Sequence, residues 1–179
     1  EEPDLTPKDR WDRPVPIGVS TGHPAVTAGT IGARVTDGSN VYALSNNHVY
    51  ADENRASIGD AVIQPGTFDG GSEPNDNIGT LYTFIAISFT EVNTVDSAIA
   101  LSSTELLGSA TPPDGYGAPK STTADASIGM KVLKYGRTTG QTKGRVYAIN
   151  VTVDVGYDSG VARFENQIVI TPGTFSAGG

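Results

Sequence analysis

Asn40-Val41-Tyr42-Ala43-Leu44-Ser45-Asn46-Asn47-His48-Val49-Tyr50 is the stretch on which the reading of this chain turns. Val41 to Ser45 is a short run of apolar and β-prone residues, which reads as a strand. Asn46-Asn47 tolerate turn backbone and end it. His48 therefore falls at a strand end, on the edge of a sheet, where an imidazole can be oriented and still reach a second molecule. A general base working near neutral pH needs such a side chain. A lone histidine in such a place more often has a structural role.

Working outward, Asp37-Gly38-Ser39 is a hairpin turn that joins an expected strand 27–36 to the strand 40–45. Further strands are expected at 61–64, 78–87 and 97–101, then at 131–135, 144–155, 161–164 and 167–170. The chain contains 22 glycines and 11 prolines, which punctuate these runs, and segments with helical periodicity are scarce. The fold class is therefore all-β, a sandwich or a barrel. Residues 65–77 read as a polar surface loop. Residues 1–14, polar and proline-bearing, read as an N-terminal arm. Residues 108–124 are rich in Gly, Pro, Ser and Thr and read as a linker. The division that follows is an arm over 1–14, a first β-rich unit over 15–107, the linker, and a second β-rich unit over 125–179.

Composition narrows the function classes. A formal net charge of −8 argues against nucleic-acid partners, whose phosphates call for a Lys/Arg surface. No run approaches the roughly 18 apolar residues of a spanning helix. The chain has no cysteine, which excludes disulfides, thiol nucleophiles and thiolate-bound zinc within it. Glu1-Glu2-Pro3-Asp4 carries neither the basic start nor the apolar core of a secretory signal. Neither a metal nor a cofactor is called for.

Asp96, in Val95-Asp96-Ser97-Ala98-Ile99-Ala100-Leu101, leads into an apolar strand, so its carboxylate belongs at the rim of a core. A histidine base needs such an acceptor on its second ring nitrogen. The alternative is an aspartate that binds backbone amides at a strand start. The chain has two histidines, and the other, His23, precedes Pro24 in a loop. Their spacing makes a poor zinc site. Ser159, in Gly156-Tyr157-Asp158-Ser159-Gly160, lies between two expected strands and reads as a hairpin turn. In Gly136-Arg137-Thr138-Thr139-Gly140, at a strand corner, Arg137 is expected to be solvated or to anchor the loop to carbonyls, as is Lys143. Twenty acidic residues are available for glycoside chemistry, but none stands in a motif.

Taken in order, 18–24, 27–33, 45–49, 96–101 and 135–140 resemble the trypsin-like serine proteases, and more closely their bacterial, cysteine-free, nal1-type branch. The likeness runs from Gly18 onward. It implies two antiparallel six-stranded-type β-barrels with the active site between them, the second incomplete at its C-terminus. It makes His48 the general base and Asp96 its orienting carboxylate, in a peptide-hydrolysing enzyme with a polypeptide substrate. The family runs Phe-Ser-x-Gly-Gly into Asp-Ser-Gly, whose serine is the nucleophile. Here Phe175-Ser176-Ala177-Gly178-Gly179 matches the first part. Gly179 is thereby the oxyanion-hole glycine, and Phe175 and Ser176 fall at the specificity pocket, with no acidic residue there to select Lys or Arg. The expectation is a chain that stops short of its nucleophile and is inactive alone. A further C-terminal segment, or another chain, would complete the second barrel. The likeness also implies a secreted or extracytoplasmic location, although the residues themselves would suit the cytoplasm too. The competing reading is a non-catalytic binding or assembly module on the same scaffold.

Overall fold

The hairpin at Asp37-Gly38-Ser39 is present in the computed structural model, which describes residues 5–176. Asp37 accepts from the amides of Ser39 and Asn40 at 2.9 and 2.8 Å, and Gly38 takes the left-handed φ of +96° that the turn requires. The turn joins β3 (Ala33–Thr36) to β4 (Val41–Ser45). The expected strand 27–36 is in fact two pieces. A short β2 (Gly29–Thr30) pairs with β1 (Ser20–Thr21), and the chain then bends at Ile31-Gly32 before β3. Ile31 is fully buried and exchanges backbone hydrogen bonds with Gly18 and Val19, while Gly32 bonds to Leu44. Burial of one isoleucine thus redirects the backbone.

The strands β5 (Ala61–Ile63), β6 (Asn77–Phe84) and β7 (Ala98–Ser102) complete a five-stranded antiparallel sheet in the order β3-β4-β7-β6-β5. The interior position of β4, between β3 and β7, goes with the burial of Tyr42, Ala43 and Ser45. Val15, Ile17, Val19, Val49, Tyr50, Val62, Ile78, Leu81 and Leu107 form one continuous core against this sheet. Residues 5–14, read as an arm, lie on its loops. The Trp11 amide bonds to Gln64, and Arg10 pairs with Asp76 at 2.6 Å.

The second sheet has the order β10-β9-β8, with β8 (Lys131–Gly136), β9 (Gly140–Tyr157) and β10 (Gly160–Thr171). The two strands expected at 161–164 and 167–170 are one strand. Its register shifts between Phe164 and Gln167, where Asn166 has φ +59°. The Asp158-Ser159 turn links β9 to β10, as expected. Its buried cluster is small, Ile87, Ala162 and Phe164, and Leu133, Tyr147, Val161 and Ile168 are exposed on its strands. Ile78→Val is therefore expected to cost about 0.5–1.5 kcal/mol, and Ile168→Val close to nothing. Urea midpoints of the two variants check this. No regular strand occurs over 103–130, and no helix among the described residues is long and apolar enough to cross a membrane.

Candidate active site

Past β4 the chain makes a single helical turn, α1 (Asn47–Tyr50), so His48 stands on that turn rather than on the strand itself. The N-terminal amides of a helix lack intrahelical partners, and the Asn46 side chain does not cap this one. Asp96 takes the role. Its Oδ1 accepts from the amides of Asn47 at 2.6 Å and His48 at 3.3 Å. Its Oδ2 accepts from His48 Nδ1 at 2.5 Å. One oxygen thus binds backbone amides, those of α1 and not of its own strand start, and the other meets the imidazole. Residues 48 positions apart meet because β4 and β7 are neighbours, with Ser45 opposite Ala98.

An ionised carboxylate only accepts, so His48 carries its proton on Nδ1. Nε2 is left as the nitrogen that can face a substrate, on a side chain about 30% exposed. Asp96 itself is about 11% exposed. Burial pushes its carboxyl up, but the hydrogen bond from His48, with that of the Tyr157 hydroxyl, outweighs burial and holds it below the ordinary carboxylate range.

Asp76 and Asp69 are also held low. Arg10 depresses Asp76 against burial, and Arg137 and Ser20 overcome the burial of Asp69. A carboxyl depressed on folding stabilises the native state above its unfolded pKa of about 3.9, and that contribution is lost as pH falls through the folded value. Stability is therefore expected to hold from neutrality to about pH 4 and to fall steeply below it. Urea midpoints taken at pH 6, 4 and 3 check this, with Asp76→Asn giving a shallower acid slope.

The other residues singled out in the sequence have the following settings. Phe175 ends a 3₁₀ turn (Gly173–Phe175) and sits on the second sheet. Its carbonyl accepts from the Thr142 hydroxyl at 2.7 Å, and its ring faces Lys134 Nζ at 5.9 Å. Ser176 is exposed. Gly179 lies outside the described residues. The Ser159 hydroxyl donates to Glu53. His23 has a structural arrangement, with Nε2 3.1 Å from Asp60 and Nδ1 accepting from the Ala25 amide. Among the described residues no group of acidic side chains and histidines is placed to hold a metal ion.

The expectation for Arg137 is corrected. Its guanidinium makes a two-pronged pair with Asp69 at 2.5 and 2.7 Å, and its amide donates to Thr30. Asp69 belongs to a 3₁₀ turn (Thr67–Asp69) within the loop read as merely polar. A partner 68 positions away leaves no local signal. Tyr157, whose hydroxyl lies 3.0 Å from Asp96 Oδ2, also escapes sequence reasoning, because it reads as part of a hairpin end.

Comparison with solved structures returns serine proteases. A glutamic-acid-specific serine protease, described as using a histidine triad in substrate binding, is 24% identical. The match covers 92% of this chain and 78% of that one, with a TM-score of 0.62. Nocardiopsis protease is 20% identical over 92% and 77%, TM-score 0.58. Cellulomonas bogoriensis chymotrypsin is 18% identical over 88% and 69%, TM-score 0.51. No protein-family model matches the chain, and no curated protein does. The fold is accordingly the all-β fold of chymotrypsin-like serine proteases.

Proposed function

We propose that this chain carries the histidine and aspartate of a serine endopeptidase, and that the nucleophilic serine belongs to residues following Gly179. The observation that carries this reading is the His48–Asp96 pair, at 2.5 Å with Nδ1 committed to the carboxylate. In the reaction, His48 Nε2 takes the proton from the serine hydroxyl as it attacks the scissile carbonyl. The resulting imidazolium, stabilised by Asp96, then delivers that proton to the leaving amine. Water repeats the cycle on the acyl-enzyme. The Gly179 amide contributes to the oxyanion hole and Phe175-Ser176 to the specificity pocket, by their match to the family motif.

The substrate is a polypeptide, and an extracytoplasmic setting goes with this reading. Two histidines in 1–179, one of them the base, leave too few to build a histidine triad for substrate within these residues. The exposed apolar side chains of the second sheet support completion of that half by a further segment or another chain. A phosphonate probe for activated serines, applied to the chain extended past Gly179, tests the reading. Labelling at the serine of an Asp-Ser-Gly sequence there, absent in His48→Ala, is expected. No labelling of a folded, extended chain overturns it in favour of the non-catalytic scaffold.

A further inference from the structure

The last residue of β9 crosses from the second sheet to the first. Tyr157 places its hydroxyl 3.0 Å from Asp96 Oδ2, the oxygen that also receives His48 Nδ1. Its ring stands edge-on to the imidazole, with centroids 5.8 Å apart, and packs between Phe89 at 6.1 Å and Phe164 at 6.2 Å. The phenol is thus held by three aromatic neighbours and has a single polar target.

The hairpin tip beyond it is anchored as well. The amides of Asp158 and Ser159 donate to Glu53 at 3.0 and 2.8 Å, and the Ser159 hydroxyl donates to it too. Glu53 lies in a run of left-handed residues, with φ of +46° at Asp52, +52° at Glu53 and +74° at Asn54. Such backbone persists in non-glycine residues only where the surroundings enforce it. Here Asn54 enforces it, bonded in both directions to Asn47 of α1 at 2.8 and 3.1 Å. A closed circuit results: α1, Asn54, Glu53, the hairpin tip, Tyr157, Asp96, and back to the amides of α1.

We propose that Tyr157 is a positioning residue for His48, acting through Asp96: its hydroxyl donates to Oδ2 and fixes the carboxylate plane, which keeps the imidazole in its Nδ1–H form with Nε2 outward. Its functional part rests on the endopeptidase reading. With Tyr157 in place Oδ2 has two donors, as Oδ1 has the Asn47 and His48 amides; without it the amides still hold Oδ1, but Oδ2 is held by the imidazole alone and the carboxylate plane is less tightly fixed. Burial, reinforced by the negative charges of Asp96 and Glu53, raises the phenol, so Tyr157 remains a donor throughout the neutral range. Asp96, His48 and Glu53 are the titratable groups that face it.

Tyr157→Phe removes the hydroxyl and keeps the ring. In chain 1–179, the downfield proton resonance of His48 Nδ1–H reads the contact directly, and His23→Gln identifies which signal belongs to the other histidine. The resonance is expected to move further downfield, since Asp96 becomes the stronger acceptor once it loses a competing donor. Glu53→Ala is expected to move it the same way and to add nothing in the Tyr157→Phe background. In the chain carrying its nucleophile, Tyr157→Phe is expected to lower kcat about tenfold at nearly constant KM, and to move the acid limb of kcat/KM to higher pH. An unmoved resonance in a variant with an unchanged unfolding midpoint overturns the proposal, as does a change confined to KM. A moved resonance in a chain whose extended form hydrolyses nothing leaves the positioning role standing and fails the endopeptidase reading instead.

Discussion

His48→Ala is expected to lower kcat for peptide hydrolysis by about 10⁶-fold in the chain that carries its nucleophile. A serine hydroxyl is almost wholly protonated at neutral pH, so attack needs a base within hydrogen-bond reach, and the leaving amine needs an acid afterwards. In the proposed reading both tasks fall to His48, whose Nδ1 bonds to Asp96 and whose Nε2 is the nitrogen left to meet the serine. Asp96→Asn should cost about 10⁴-fold, because an amide facing Nδ1 favours the other tautomer. The two effects should not add, since either change disables the same proton transfer. Asp96→Asn also weakens the capping of the Asn47 and His48 amides, so it should destabilise the fold where His48→Ala does not. Single-turnover kinetics and urea midpoints on the same variants check both statements. Activity of His48→Ala within tenfold of the parent would end the assignment of His48 as base.

Asp69→Ala is expected to cost about 3–5 kcal/mol of stability, the range for removing one partner of a buried ion pair. The pair is part-buried, with the Asp69 side chain about 6% and that of Arg137 about 15% exposed, which places the expected cost at the lower end of that range. Asp69 also accepts from the Ser20 hydroxyl at 2.5 Å, and Ser20 is itself fully buried. Its loss therefore strands a guanidinium and a hydroxyl together. The guanidinium retains the face of Phe68 at 5.5 Å, which cannot replace a carboxylate. Replacing both partners, Asp69→Ala with Arg137→Met, should restore a good part of the loss, because no uncompensated charge then remains. Denaturant unfolding of the two singles and the double checks this. A single-variant cost below about 1 kcal/mol would show the pair to be no stronger than an exposed one. The pair joins the corner between β8 and β9 to the first sheet, so Asp69→Ala should also speed amide exchange at the Arg137–Thr30 contact.

The residues by themselves determined the fold class and nominated His48 and Asp96 as a pair. Alternation and turn chemistry act over a few neighbours, so the hairpin at 37–39, the strand into Ser45 and the turn at Ser159 were legible. The motif order around His48 and Asp96 was legible through its likeness to a family. What failed was of longer range. The break at Ile31 depends on Gly18, Val19 and Leu44, and the single strand β10 depends on β9 to carry it through the shift at Asn166.

Only the tertiary structure decided that Asp96 serves the α1 amides and His48 with separate oxygens. It alone joined Arg137 to Asp69 and Tyr157 to Asp96, partners 68 and 61 positions apart. The physical reason is the reach of the forces involved. Backbone preference and hydrophobic period act within one element and leave a trace in its letters. A charge or a phenol finds its partner through the packing of two sheets, and nothing in the sequence near either residue records the other.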